Sequence, residues 1–143
     1  MIDSGDTGFM IICTALVLLM TPGLAFFYGG MVRRKNVVNT MMTSIFVIGI
    51  AMAMWILFGY SLAFGNDHLG IIGDLSFLGL SNVGTTPGNY ASTIPDLGFA
   101  AFQMMFAIIT PALITGAVAG RMKFKALFIF IIVWSTIVYY PMA

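Results

Sequence analysis

The sequence predicts an all-α membrane protein that crosses the bilayer four times. Three observations lead there: charge is scarce, the few charges are clustered, and the stretches between clusters are long enough to span hydrocarbon. Only 8% of the 143 residues are charged against 60% hydrophobic, and the mean hydropathy is +1.03, whereas a soluble domain carries roughly a quarter charged residues. A water-soluble fold of this composition would expose apolar surface almost everywhere, which folded monomers avoid. Four uncharged runs, 7–32, 36–66, 97–120 and 126–143, each approach the ~20 residues that cross about 30 Å of hydrocarbon at 1.5 Å per residue, the last only just.

The first helix is expected over 8–32. The preceding MIDSGDTG has no positive n-region, and the apolar run exceeds the about 7–15 residues of a signal-peptide core, so the helix is expected to be retained. Near its end, TPGLAFFYGGMVRRKN (21–36) gathers three glycines, three aromatics and three positive charges. Pro22 removes the backbone bond to residue 18 and should kink the helix. Leu24, Phe27, Tyr28 and Met31 follow at i, i+3, i+4 and i+7 on one face. That face suits packing against a neighbour or the lining of a path, and the spacing alone does not choose. Cys13 stands alone in the chain and so supports no disulfide framework.

The second helix is expected over 37–64. A loop follows over 65–96, polar but studded with Ile71, Ile72, Leu75, Phe77, Leu78 and Leu80, so it should fold over the surface. His68 lies in it, either as a proton acceptor at an entrance or as a solvated loop residue. The third helix, expected over 97–120, carries Phe102 and Phe106 four residues apart on one face. Counted from Asp96, these rings lie roughly 9–15 Å into the membrane. Two stacked rings attract a desolvated cation by ~1–2 kcal/mol, or they pack against another helix; both readings fit. Below them Pro111 should bend the helix, and Ala112, Gly116 and Gly120 form a small-residue face suited to close approach. The fourth helix is expected over 125–141.

Orientation follows from charge. Arg33, Arg34 and Lys35 follow the first helix and Arg121, Lys123 and Lys125 the third, which accounts for all six basic residues; the five acids, Asp3, Asp6, Asp67, Asp74 and Asp96, all fall in the alternate segments. Short positive loops stay cytoplasmic, so the N-terminus is expected outside a plasma or inner membrane. Topology explains each basic triplet, and no nucleic-acid partner is expected. No Asp, Glu, Lys, Arg or His lies inside a span, which disfavours carboxylate-coupled antiporters and proton pumps. No enzymatic activity, catalytic residue, metal site or cofactor is expected.

Three motifs in register carry a family resemblance: MIICTALVLLMTPGLAFFYGGMVRRKN (10–36), WILFGYSLAFG (55–65) and FAAFQMMFAIITPALITGAVAGR (99–121). Together they resemble the ammonium transporter family, which includes the methylammonium permeases and Rhesus proteins. The resemblance covers practically the whole chain apart from the 65–96 loop. It implies four helices of an eleven-helix fold whose first ten helices form two inverted halves, and assembly as a homotrimer with one conduction path per subunit. By position in the motif it implies that Phe102 and Phe106 form the outer ammonium recruitment site and gate, and that Leu24, Phe27 and Tyr28 line the inner half of the pore. It further implies ammonium or ammonia as the substrate, a lipid bilayer as the surroundings and a cytoplasmic PII-type regulator as a partner.

In such proteins ammonium exchanges water for aromatic and hydrogen-bond contacts, then gives up its proton before an apolar constriction. The family continues past YYPMA (139–143) into paired histidines, a second gate phenylalanine and a second half, so a fragment of a longer transporter is expected. Two other functions remain open: an ammonium-sensing membrane domain fused to a signalling output, and a non-transporting four-helix membrane protein.

Overall fold

The computed structural model describes residues 2–68 and 70–143. Of His68 only the backbone is described, so both readings of its side chain concern atoms outside the described residues. Four helical segments are long and apolar enough to cross a membrane: Ser4–Met31, Arg34–Phe64, Asp96–Val118 and Phe124–Met142. All the acids lie toward one end of this bundle and all the basic residues toward the other, here the acidic and basic ends.

Helix α1 (Ser4–Met31) starts ahead of the charge-free run because the Asp3 carboxylate accepts the Gly5 and Asp6 amides at 2.7 and 3.0 Å. An N-cap of this kind satisfies donors that otherwise have no partner. At the basic end a short 3₁₀ turn, Arg34–Asn36, leads into α2 (Val37–Met54). The second span then widens into a π turn, Trp55–Gly59, and closes with α3 (Tyr60–Phe64). Helix α4 (Asp96–Val118) is the third span. The fourth repeats the form of the second: α5 (Phe124–Trp134), a π turn at Ser135–Tyr139, and α6 (Tyr140–Met142). Gly120 lies beyond the end of α4 at φ +71°, a left-handed conformation that stops a helix and favours glycine. It is thus a terminator, and the small-residue face of α4 ends at Gly116.

Helices α1, α2 and α4 pack mutually, and α5 leans on α2. Inside hydrocarbon, apolar contact with protein has little advantage over contact with lipid, so close fit and polar bonds hold helices together. The buried residues of α1 are Thr21, Ala25 and Gly29, a small stripe at four-residue steps; a Cβ on Gly29 would lie 2.8 Å from Met41 Cγ. Between α2 and α4 the buried hydroxyls of Ser44 and Thr115 meet at 3.3 Å. Apolar side chains form three buried clusters among the described residues: Val47, Ala112, Leu127 and Ile131; Ala51, Met105 and Ile108; and Met54, Trp55, Tyr60, Ala100, Ala107 and Tyr140.

The 65–96 loop folds against the acidic end. A two-residue hairpin, β1 (Asp67–His68) with β2 (Ile72–Gly73), is a small departure from an all-α chain. Ser61 on α3 anchors the loop: its hydroxyl donates to the Asp74 carbonyl at 2.7 Å and accepts the Phe77 amide at 3.0 Å. The Thr86 and Gly84 carbonyls accept the first amides of α4, from Asp96 and Leu97, each at 3.0 Å. The chain start is tied in as well, since the Asp3 amide donates to the Thr93 carbonyl at 2.8 Å.

Candidate functional site

Four-residue spacing on α4 brings the Phe102 and Phe106 rings into contact, with centroids 5.1 Å apart and planes at 77°. An edge-to-face pair of this kind is favoured by the ring quadrupoles and leaves ring face available to a cation. Phe106 is 37% exposed and Phe102 half-buried; neither joins the packed clusters between the helices. Phe99, one turn above, has a different role. It stacks on Tyr90 at 5.8 Å and 7° and meets Phe64 edge-on at 5.2 Å.

Those contacts belong to an aromatic platform that roofs the acidic end. Trp55 lies at its centre, within 6.1 Å of the Tyr60, Phe64 and Tyr140 rings, and its indole N–H donates to the Ala100 carbonyl at 3.2 Å. The Tyr60 hydroxyl donates to Asp96 Oδ1 at 3.0 Å. A Cβ on Gly59 would sit 2.7 Å from the Tyr140 ring, so the π turn of the second span meets the start of α6 at a point with no room for a side chain. This platform fixes α3, the loop and the fourth span around the N-terminal half of α4 and so sets the position from which Phe102 and Phe106 project.

At the basic end the four residues of the α1 face separate. Leu24 packs against the Val47, Ala112, Leu127 and Ile131 cluster. Phe27, Tyr28 and Met31 instead line a recess of ≈ 450 Å³ closed by Leu113, Gly116 and Arg121. The Tyr28 hydroxyl donates to the Leu113 carbonyl at 2.9 Å, and its ring lies where a Cβ on Gly116 would be. Gly116 therefore admits the tyrosine, and the tyrosine bonds α1 to α4. Phe27 is exposed and meets the Tyr28 ring at 5.7 Å. The structure thus joins Phe102 to Phe106 and Phe27 to Tyr28, on α4 and α1 and toward opposite ends of the bundle. Sequence reading missed the platform and the Tyr28–Leu113 bond; the WILFGYSLAF aromatics were the available signal, but their partners lie dozens of residues away.

Comparison with known proteins gives a consistent result. The model of the Ammonium Transporter Family matches residues 8–143. The chain is 52% identical over 139 residues to the "Ammonium transporter" of Bacillus subtilis, covering 97% of this chain and 34% of that one. It is 44% identical over 141 residues to "Ammonium transporter Amt1" of Archaeoglobus fulgidus, covering 99% and 34%. Its fold matches the crystal structure of Saccharomyces cerevisiae Mep2 with a TM-score of 0.88 at 35% identity, covering 99% of this chain and 34% of that one. The chain spans about a third of the length of the curated relatives it matches.

Proposed function

Because the chain belongs to the Ammonium Transporter Family, we propose that it supplies the entrance and one wall of a path by which ammonium crosses a cell membrane. The Phe102–Phe106 pair carries this reading: two touching rings, partly exposed, in the acidic-end half of a span whose one charged residue, Asp96, stands at its first position. The acidic end faces outside and the basic end the cytoplasm. Ammonium arriving at the rings exchanges part of its water for cation–π attraction of ~1–2 kcal/mol. Phe106 closes the passage beneath. The ion then gives up its proton, and the nitrogen continues through apolar surroundings to the recess formed by Phe27 and Tyr28, above which Leu24 supports the wall. Potassium shares the attraction to the rings but has no proton to give up, which is the basis for selectivity. Assembly as a homotrimer and docking of a PII-type regulator on the basic face complete the proposal.

The test is a chimera in which residues 1–143 replace the matching third of the Bacillus subtilis relative, expressed in a microbe without its own permeases. Restored growth on low ammonium and saturable methylammonium uptake are expected. Folded, membrane-inserted chimera that gives neither would overturn the reading.

A further inference from the structure

We infer that Arg121 guards the inner recess against cations, so that nitrogen leaves through it as ammonia and cytoplasmic ammonium is kept from entering. The inference rests on the transport reading and deepens it by assigning a residue that makes the exit selective for the neutral species. The recess of ≈ 450 Å³ is bounded by Phe27, Tyr28 and Met31 on α1 and by Leu113, Gly116 and Arg121 at the end of α4. Among the described residues Arg121 is its single charge. All five acids of the chain lie toward the acidic end, so no carboxylate of residues 1–143 neutralises it.

The way α4 ends sets this place. Gly120, left-handed at φ +71°, turns the chain out of the helix. The Arg121 amide then donates to the Val118 carbonyl at 3.0 Å and the Met122 amide to the same oxygen at 3.2 Å. Two amides on one carbonyl fix the Arg121 backbone just past Gly116, the residue that admits the Tyr28 ring. Membrane orientation accounts for basic residues in this loop, and Lys123 and Lys125 serve it equally, yet neither lines the recess. Orientation does not explain why one of the three reaches the passage.

The chemistry of the recess separates the two forms of the nitrogen. A guanidinium offers five N–H donors, no acceptor and a charge that does not titrate. Ammonia has a lone pair to accept such a donor; ammonium has none and is repelled. In the same recess Tyr28 has given its one proton to the Leu113 carbonyl, so its oxygen can accept an N–H of ammonia. The neutral molecule thus finds a donor and an acceptor where the cation meets a like charge. Past Arg121 the nitrogen takes a proton from cytoplasmic solvent: its lone pair forms the new N–H bond as a solvent O–H bond breaks.

The experiment uses the chimera described above, with methylammonium presented to the acidic face in right-side-out membrane vesicles and to the basic face in everted ones. A unit charge about 7 Å away in solvent-connected surroundings changes the occupancy of a cation by roughly three- to tenfold. Arg121→Gln is therefore expected to lower the half-saturation at the basic face by that factor and to leave the acidic face unchanged. Arg121→Glu should lower it further, and Arg121→Lys, which keeps the charge, should stay near the unsubstituted chimera. Lys123→Gln is the control for charge in the same loop. Raising the ionic strength should lower the basic-face value of the unsubstituted chimera and have little effect on Arg121→Gln. Folded protein is quantified throughout, and should the variants not fold, the salt dependence of the unsubstituted chimera decides.

A merely structural role predicts less folded protein with the same half-saturation at both faces. That result, an equal shift at the two faces, an equal shift with Lys123→Gln, or a basic-face value indifferent to salt would overturn the inference while leaving transport intact. Absence of uptake in the unsubstituted chimera would sink the transport reading and this inference with it.

Discussion

Phe106 offers the most direct test at the level of single residues. Leucine matches the ring's apolar character and much of its bulk, so simple packing predicts little change in Phe106→Leu. Recruitment predicts that losing a cation–π contact of ~1–2 kcal/mol raises the half-saturation for methylammonium by roughly 5–30-fold. Phe106→Ala should also open the passage and weaken discrimination. Equal half-saturation in wild-type and Phe106→Leu chimeras would leave Phe106 as a steric plug. The pairing of these rings was legible because helical periodicity puts residues four apart side by side. The Tyr28–Leu113 bond was not, because 85 positions separate the partners and a carbonyl acceptor leaves no trace in residue type. It yields its own prediction: Gly116→Ala must displace the Tyr28 ring, at a cost of about 1–3 kcal/mol. The control is Gly30→Ala, where a Cβ meets nothing within 4 Å. Thermal unfolding in detergent should separate the two, and equal melting temperatures would show that the ring moves aside freely.

Among the elements, the spans could be read because charge marks their ends, whereas the π turns could not. A π turn is one residue's departure from a 3.6-residue period, and in an all-apolar segment there is no polar face to reveal the slip. The 65–96 loop was legible as a folded surface from its interspersed Ile, Leu and Phe, but its clasp was not. Asp74 forms that clasp. The Ser76 hydroxyl foremost, then the Asn66 side-chain amide and the Ser76 backbone, stabilise its carboxylate and draw it from the usual 3.8 down to about 2. A carboxyl lowered on folding contributes stability above its unfolded value and loses it as pH falls through the folded one. The loop should therefore stay protected at pH 5 and loosen between about 4 and 2. Hydrogen exchange across residues 65–80 measures this. Asp74→Asn should show weak protection at every pH, and a pH dependence that survives in this variant would rule out Asp74 as the clasp.

At the scale of the whole molecule, the separation of charge predicts sidedness. In a Cys13→Ser background, a cysteine at position 34 should resist an impermeant reagent applied from outside, and one at position 80 should react. The opposite pattern would invert the topology. The chain by itself should not restore growth on low ammonium, because Phe9, Ile12, Leu19, Phe26 and Phe27 stand exposed along α1 and the Phe102–Phe106 pair is open on one side. Rescue by residues 1–143 alone would contradict this. The bond from the Asp3 amide to the Thr93 carbonyl bears on how the molecule is made. On a ribosome that bond must wait until the chain has been synthesised beyond residue 93, by which time the first two spans have already been delivered to the insertion machinery. The residues that lead into the first span are thus among the later ones to be locked, although they precede it in the chain. A bulky reporter fused ahead of Asp3 would ride on that late step, so its damage would appear as slow maturation of an otherwise correctly inserted protein.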